Sequence, residues 1–125
     1  MRALVVVEAD KDLQVLIETV FSLDSRFTVA GVSTTAEDAL QMARTTKPAM
    51  IVLDPHLAGK MTGLEVAPRL KEVAPTAKII LFTYEHELGE EAANEPAIDA
   101  LVLRAESTHL LRVAQQLLGM PGSTT

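Results

Sequence analysis

The chain contains no cysteine, which excludes a disulfide framework, a thiolate metal site and a cysteine nucleophile, and leaves the apolar core to carry stability alone. It also lacks an excess of positive charge. The formal net charge is -6 and the pI about 5.0, a balance that repels nucleic acid and anionic membrane surfaces, and no basic face is segregated from the rest. No apolar run reaches transmembrane length. The N-terminus passes from Met1-Arg2 into the short β-branched run Ala3 to Val7 and meets charge at Glu8, unlike a signal peptide. A cytoplasmic domain is therefore expected, with neither membrane nor nucleic acid as a direct partner. A glycine-rich or hydroxyl-rich phosphate cradle is missing after that first run. Glu8-Ala-Asp-Lys-Asp12 stands there instead, and its carboxylates repel a bare phosphate, which argues against a nucleotide or flavin enzyme. No Ser-His-Asp order or nucleophile elbow is present either.

What is present is alternation. At 125 residues and 48% hydrophobic, the chain suits one domain, expected over residues 1–119, with 120–125 as a disordered tail. Short apolar runs at Ala3 to Val7, Phe27 to Ser33, Met50 to Leu53, Ile79 to Thr83 and Leu101 to Leu103 read as buried strands. Helical stretches fill the gaps. The first runs from Lys11 to Leu23, capped by Asp10, with Leu13, Ile17, Val20 and Phe21 on one stripe. The second starts at a capping box of Thr34 and Glu37 and turns Ala39, Leu40 and Ala43 inward. The third, Leu64 to Val73, contains Pro68, which should kink its first half or delay its start. The fourth, Glu85 to Glu95, is acidic, interrupted by Gly89 and expected to be short or mobile. The fifth runs from Thr108 to Leu118 between a Ser107 cap and a Gly119 stop. Five such units predict a flavodoxin-like α/β/α sandwich of three layers, with a five-stranded parallel sheet in the order 2-1-3-4-5.

In that topology, ligands bind beyond the carboxyl ends of the strands, where strands one and three diverge. Glu8 and Asp10 follow strand one, Asp54 follows strand three, Thr83 ends strand four and Arg104 ends strand five. Converging carboxylates suit a hard cation such as Mg2+. A carboxylate nucleophile flanked by a cation and a hydroxyl can accept a phosphoryl group, and Asp54 is the nucleophile expected.

Taken together, these segments make the chain resemble the receiver domain of two-component response regulators over nearly its whole length. Leu4-Val-Val-Val-Glu-Ala-Asp resembles that family's first strand and acidic pair, and Ile51-Val-Leu-Asp54 the strand presenting its phosphoacceptor. Gly63-Leu64-Glu65, Leu81-Phe-Thr83 and Asp99-Ala-Leu-Val-Leu-Arg104 follow in the family's order. The resemblance implies phosphorelay signalling, with Asp54 as phosphoacceptor assisted by Thr83 and Arg104. It implies Mg2+ held by Glu8, Asp54 and the backbone carbonyl of His56, with Asp10 as a further candidate. It also implies a histidine kinase or phosphotransfer protein as donor, a downstream protein or output domain as recipient, and homodimerisation through the fourth helix, fifth strand and fifth helix. Its only chemistry would be self-directed phosphoryl transfer, so the chain is not read as an enzyme.

The departures from the family pattern are specific. Ala9 stands where a second acidic ligand is usual, Ala58 where proline is common, and the loop from Asp54 to Gly63 is one residue longer. Arg104 replaces lysine with a planar fork, open to two readings: a salt bridge holding the carboxylates together, or a contact to phosphate. Ala105 predicts an ordinary trans peptide, Leu101 replaces an aromatic switch residue, and Tyr84 should crowd the phosphoryl pocket. These changes support a second functional reading, a pseudo-receiver acting as an interaction module without phosphorylation. Asp54-Pro-His56-Leu-Ala-Gly59 also spells a cobalamin-binding pattern, but it follows the third strand rather than the first and its partner motifs are absent. His86 and His109 are scattered and form no ligand cluster.

Overall fold

The computed structural model describes residues 2–84 and 88–122. Five strands, β1 (Arg2–Val7), β2 (Phe27–Ser33), β3 (Met50–Leu53), β4 (Lys78–Thr83) and β5 (Ala100–Leu103), alternate with α1 (Lys11–Ser22), α2 (Ala36–Thr46), α3 (Gly63–Val73), α4 (Leu88–Ala93) and α5 (Thr108–Leu117). The sheet order is β2-β1-β3-β4-β5 and every pairing is parallel. The expected topology is thus the observed one.

Strand alternation divides the core in two. Val5, Val7, Ile51, Leu53, Ile79 and Leu81 face α2 and α3, whose Ala36, Ala39, Ala43, Val66, Ala67 and Leu70 are buried against them. Leu4, Val6, Met50, Val52, Ile80 and Phe82 face α1 and α5, meeting Ile17, Phe21, Leu110 and Ala114. Because consecutive strand residues serve opposite faces, the buried stretches of β1 and β3 exclude polar side chains, and both are apolar from Leu4 to Val7 and from Met50 to Leu53. Phe21 and Phe27 add an edge-to-face contact with centroids 5.0 Å apart, worth about 1 kcal/mol beyond the area buried.

Several local expectations are corrected. Helix α2 is capped by Thr35, whose hydroxyl accepts from the Asp38 N–H at 3.2 Å, and not by a box of Thr34 and Glu37. The Thr34 carbonyl is instead taken by the Ala58 N–H at 3.2 Å, and Thr35 forms a bridge with Ala58, so the helix starts one residue later. Helix α3 begins at Gly63 despite Pro68, because Thr62 and Glu65 form a complete capping box that secures its first turn. Ser107 flanks α5, but its backbone is already helical and its side chain makes no capping bond; the 3-10 turn Arg104–Glu106 leads directly into the helix. Helix α4 is short, Leu88–Ala93, and residues 85–87 of the expected span lie outside the described residues, as does His86. Gly119 takes a left-handed φ of 65° after α5. Of the expected tail, residues 123–125 lie outside the described residues, while Met120 packs against the α1/α5 core and the Pro121 carbonyl accepts from Arg26 Nη2 at 2.8 Å.

Candidate functional site

Register brings the site together. Val7 pairs with Leu53, so Glu8 and Asp54 leave adjacent strands side by side, and the Asp54 N–H donates to the Val7 carbonyl at 2.9 Å. Thr83 pairs with Leu103, which places Arg104 one residue beyond the same sheet edge. Glu8, Asp54 and Thr83 are all buried, at 1%, 4% and 0% exposure. Polar groups removed from water this completely require partners.

Asp54 finds two of them through one oxygen. Its Oδ1 accepts from the His56 N–H at 2.9 Å, a tight turn across Pro55, and from Arg104 Nη2 at 3.3 Å. The same Nη2 lies 3.5 Å from Glu8 Oε1, so one guanidinium nitrogen bridges both carboxyl groups. Arg104 also stacks on Tyr84, its Cζ 4.9 Å from the ring centroid, an arrangement that favours the cation through the quadrupole of the ring. Tyr84 is 62% exposed. It supports Arg104 from the solvent side and does not fill the pocket, correcting the crowding expected of it. The Nε of Arg104 is buried and has no hydrogen-bond partner among the described residues.

Glu8 titrates far from the ordinary carboxylate range. Burial, first, and then its hydrogen bond and charge repulsion with Asp54 push it up to about 8, against the opposing pull of the Asp10 N–H and Arg104. Two carboxyl groups in a dry site cannot both ionise cheaply. Glu8 is also held through its backbone, its N–H donating to the Ser33 carbonyl at 2.8 Å and its carbonyl accepting from Gln14 Nε2 at 2.7 Å.

The expected site residues divide. Glu8, Asp54 and Arg104 meet directly, and Thr83 lies buried at the same rim. Asp10 does not join them: its Oδ1 caps α1, accepting from the N–H groups of Asp12 and Leu13 at 2.8 and 3.3 Å, while its own N–H donates to Glu8 Oε2 at 3.2 Å. His56 contributes its N–H, and its residue is exposed. Among the described residues, no three His, Asp or Glu side chains converge as metal ligands. With Arg104 Nη2 already between the two carboxyl groups, the donor set does not fit a bridging Mg2+ as it stands.

One contributor escaped the sequence reading, and another entered it only as part of a motif. Gln14 carries no motif and is recruited only by the folded loop. Gly63 is a positional requirement: its N–H donates to the Pro55 carbonyl at 2.9 Å, and a Cβ there would collide with the Asp54 carbonyl oxygen. The start of α3 thus presses directly on the backbone that presents Asp54. A glycine at the helix start, nine residues after the candidate nucleophile, was the available signal.

The family model described as the response regulator receiver domain matches residues 4–115. Solved structures agree with the fold. A DNA-binding response regulator of the LuxR family from Staphylococcus aureus is 23% identical, with a TM-score of 0.81 over 94% of this chain and 98% of that one. TrrA from Thermotoga maritima, solved in complex with Mg(2+)-BeF, is 22% identical, with a TM-score of 0.82 over 94% and 99% of the two chains. The response regulator domain of CheB, also from Thermotoga maritima, is 15% identical, with a TM-score of 0.81 over 98% and 99%. Comparison with curated proteins finds no match.

Proposed function

We propose, from the premise that the chain belongs to the response regulator receiver domain family, that Asp54 is its phosphoacceptor and that Arg104 and Thr83 assist there. The observation that carries this reading is the pairing of a buried Asp54 with a fixed cation, Arg104 Nη2, at 3.3 Å. An Asp54 oxygen attacks the phosphorus of a phosphohistidine on a histidine kinase or phosphotransfer protein. The new P–O bond forms as the P–N bond breaks, and the departing imidazole nitrogen keeps the electron pair and takes a proton from solvent. Arg104 offsets the charge on the transferring oxygens, where a guanidinium is strongest as a donor, and Thr83 offers a hydroxyl. The domain signals; its chemistry is confined to itself.

Phosphorylation would then compete with Glu8 and Asp54 for Arg104, and redistribution of that cation is the local event able to bias contacts with a downstream protein or output domain. Such a role places the domain in the cytoplasm, beside its kinase. Residues 1–119 form the receiver unit in this reading. Homodimerisation through α4, β5 and α5 remains part of it.

Incubation with a small acyl-phosphate donor, with and without Mg2+, followed by intact mass, is expected to add one phosphoryl group that hydroxylamine removes and Asp54→Asn abolishes. No adduct under either condition would overturn the acceptor role. The Arg104–Asp54 pair also favours a second reading, a pseudo-receiver locked by that ion pair, which predicts no adduct and partner binding unaffected by the donor.

A further inference from the structure

We propose that the Arg104 guanidinium occupies the cation position of this site, so that Asp54 takes up a phosphoryl-like anion without a divalent metal. The inference rests on Asp54 being the acceptor position and adds how its charge is balanced. Three observations carry it. The first is placement: Nη2 lies 3.3 Å from Asp54 Oδ1 and 3.5 Å from Glu8 Oε1, between the two carboxyl groups that a bridging ion would have to join. A Mg2+ ion demands oxygens at about 2.0–2.1 Å in near-octahedral array. It could bridge that pair only by expelling the guanidinium, which would also forfeit the stack on Tyr84.

The second is the ligand inventory. Ala9 follows Glu8 without a donor side chain, Asp10 is committed to capping α1, and no third carboxylate or imidazole converges among the described residues. The third is an unused donor. Arg104 Nε is buried and without a partner among those residues, which carries a desolvation cost for as long as it stays unpaired. An anion on Asp54 that brought an oxygen or fluorine to Nε would recover that cost. A guanidinium thus offers two donors where a lysine ammonium would offer a point charge.

The test uses beryllofluoride, a phosphoryl mimic, read by fluorine NMR and by amide shifts of the labelled chain. In chelator-treated protein, bound fluorine signals and shifts around Asp54 and His56 are expected, and millimolar Mg2+ should tighten binding by less than about tenfold. Arg104→Gln should lose more than about tenfold in chelator, while Arg104→Lys should lose less. Binding seen only with Mg2+ would overturn the inference while leaving the acceptor role of Asp54 intact. Undiminished binding by a folded Arg104→Gln in chelator would likewise overturn it. No binding with or without Mg2+ would remove the acceptor reading itself, and this inference with it.

Discussion

Two carboxylate–arginine clusters sit at opposite ends of the same sheet, built from similar residues to opposite effect. At the amino-terminal end, between α1 and β2, Asp24 is 4% exposed and fully engaged. Arg26 reaches both its oxygens at 2.6–3.1 Å, the Arg26 N–H adds a bond at 3.0 Å, and Gln115 on α5 adds another at 3.0 Å. The hydrogen bonds from Arg26, above all, hold the Asp24 carboxyl far below its ordinary range despite burial. At the carboxyl-terminal end, one Arg104 nitrogen is shared between two carboxyl groups at 3.3 and 3.5 Å, and its Nε has no partner among the described residues. The first cluster is a satisfied clasp tying α1, β2 and the end of α5 together. The second is under-coordinated, and an under-coordinated polar site is one an incoming anion can complete.

Removing the central carboxylate from each separates the two most sharply. Asp24→Ala removes the partner of half-exposed Arg26 and one hydrogen bond of Gln115, and is expected to cost about 3 kcal/mol. Asp54→Ala gives up the hydrogen bond with protonated Glu8 and leaves Arg104 to that residue, and should change stability by less than about 1 kcal/mol, because the site it dismantles is under-coordinated. Urea unfolding of both variants measures the pair. Equal losses would dissolve the contrast.

Gly63→Ala tests whether the rim depends on the close approach of α3. The added methyl meets backbone rather than a flexible side chain, so the strand end or the helix must shift, at about 2 kcal/mol. Beryllofluoride binding should weaken with it, because the moved backbone is that of Asp54 and Pro55. A loss of stability with unchanged anion binding would confine Gly63 to packing.

The contrast extends to pH, with opposite signs. Folded Glu8 keeps its proton up to about pH 8, against 4.5 for the ordinary residue. Between those values the folded chain holds the extra proton, so the Glu8 contribution is fully present below 4.5 and is lost as pH rises through 8. Asp24 behaves in reverse: its contribution is present above 3.8 and is lost as pH falls below it. Relative to Glu8→Gln, the wild type should lose on the order of 1–2 kcal/mol between pH 5 and 8. A constant difference across that window would place the Glu8 pKa near normal.

These contrasts also mark what could be read from the chain alone. Strand runs such as Met50 to Leu53 are local patterns, and parallel pairing then carries Glu8, Asp54, Thr83 and Arg104 to one edge without any side-chain detail. Side-chain commitments are legible only in part: the Arg104 salt bridge is one of two readings open for that residue, and Asp10 reads as the α1 cap. Others are settled by groups distant in sequence and are not legible, since Ala58 claims the Thr34 carbonyl and puts the α2 cap at Thr35, and the Asp24 clasp needs Gln115 from the last helix. Nothing in the local sequence distinguished Asp24 from an ordinary surface carboxylate.

The smallest expected effect concerns Tyr84, which has no counterpart in the Asp24 clasp. Arg26 there is fixed by bidentate hydrogen bonds, whereas Arg104 is steered by two long contacts and an aromatic face. Tyr84→Leu removes the face but keeps an apolar side chain, and a cation–π contact at an exposed ring is worth about 0.5–1 kcal/mol. Stability should therefore change by less than about 1 kcal/mol, while anion affinity in chelator should fall by roughly threefold as the guanidinium loses its preferred pose. Arg104→Gln should cancel that difference, since Tyr84 acts only through the cation it supports. An equal effect of Tyr84→Leu with and without Arg104 would mean that the ring meets the anion by a route of its own.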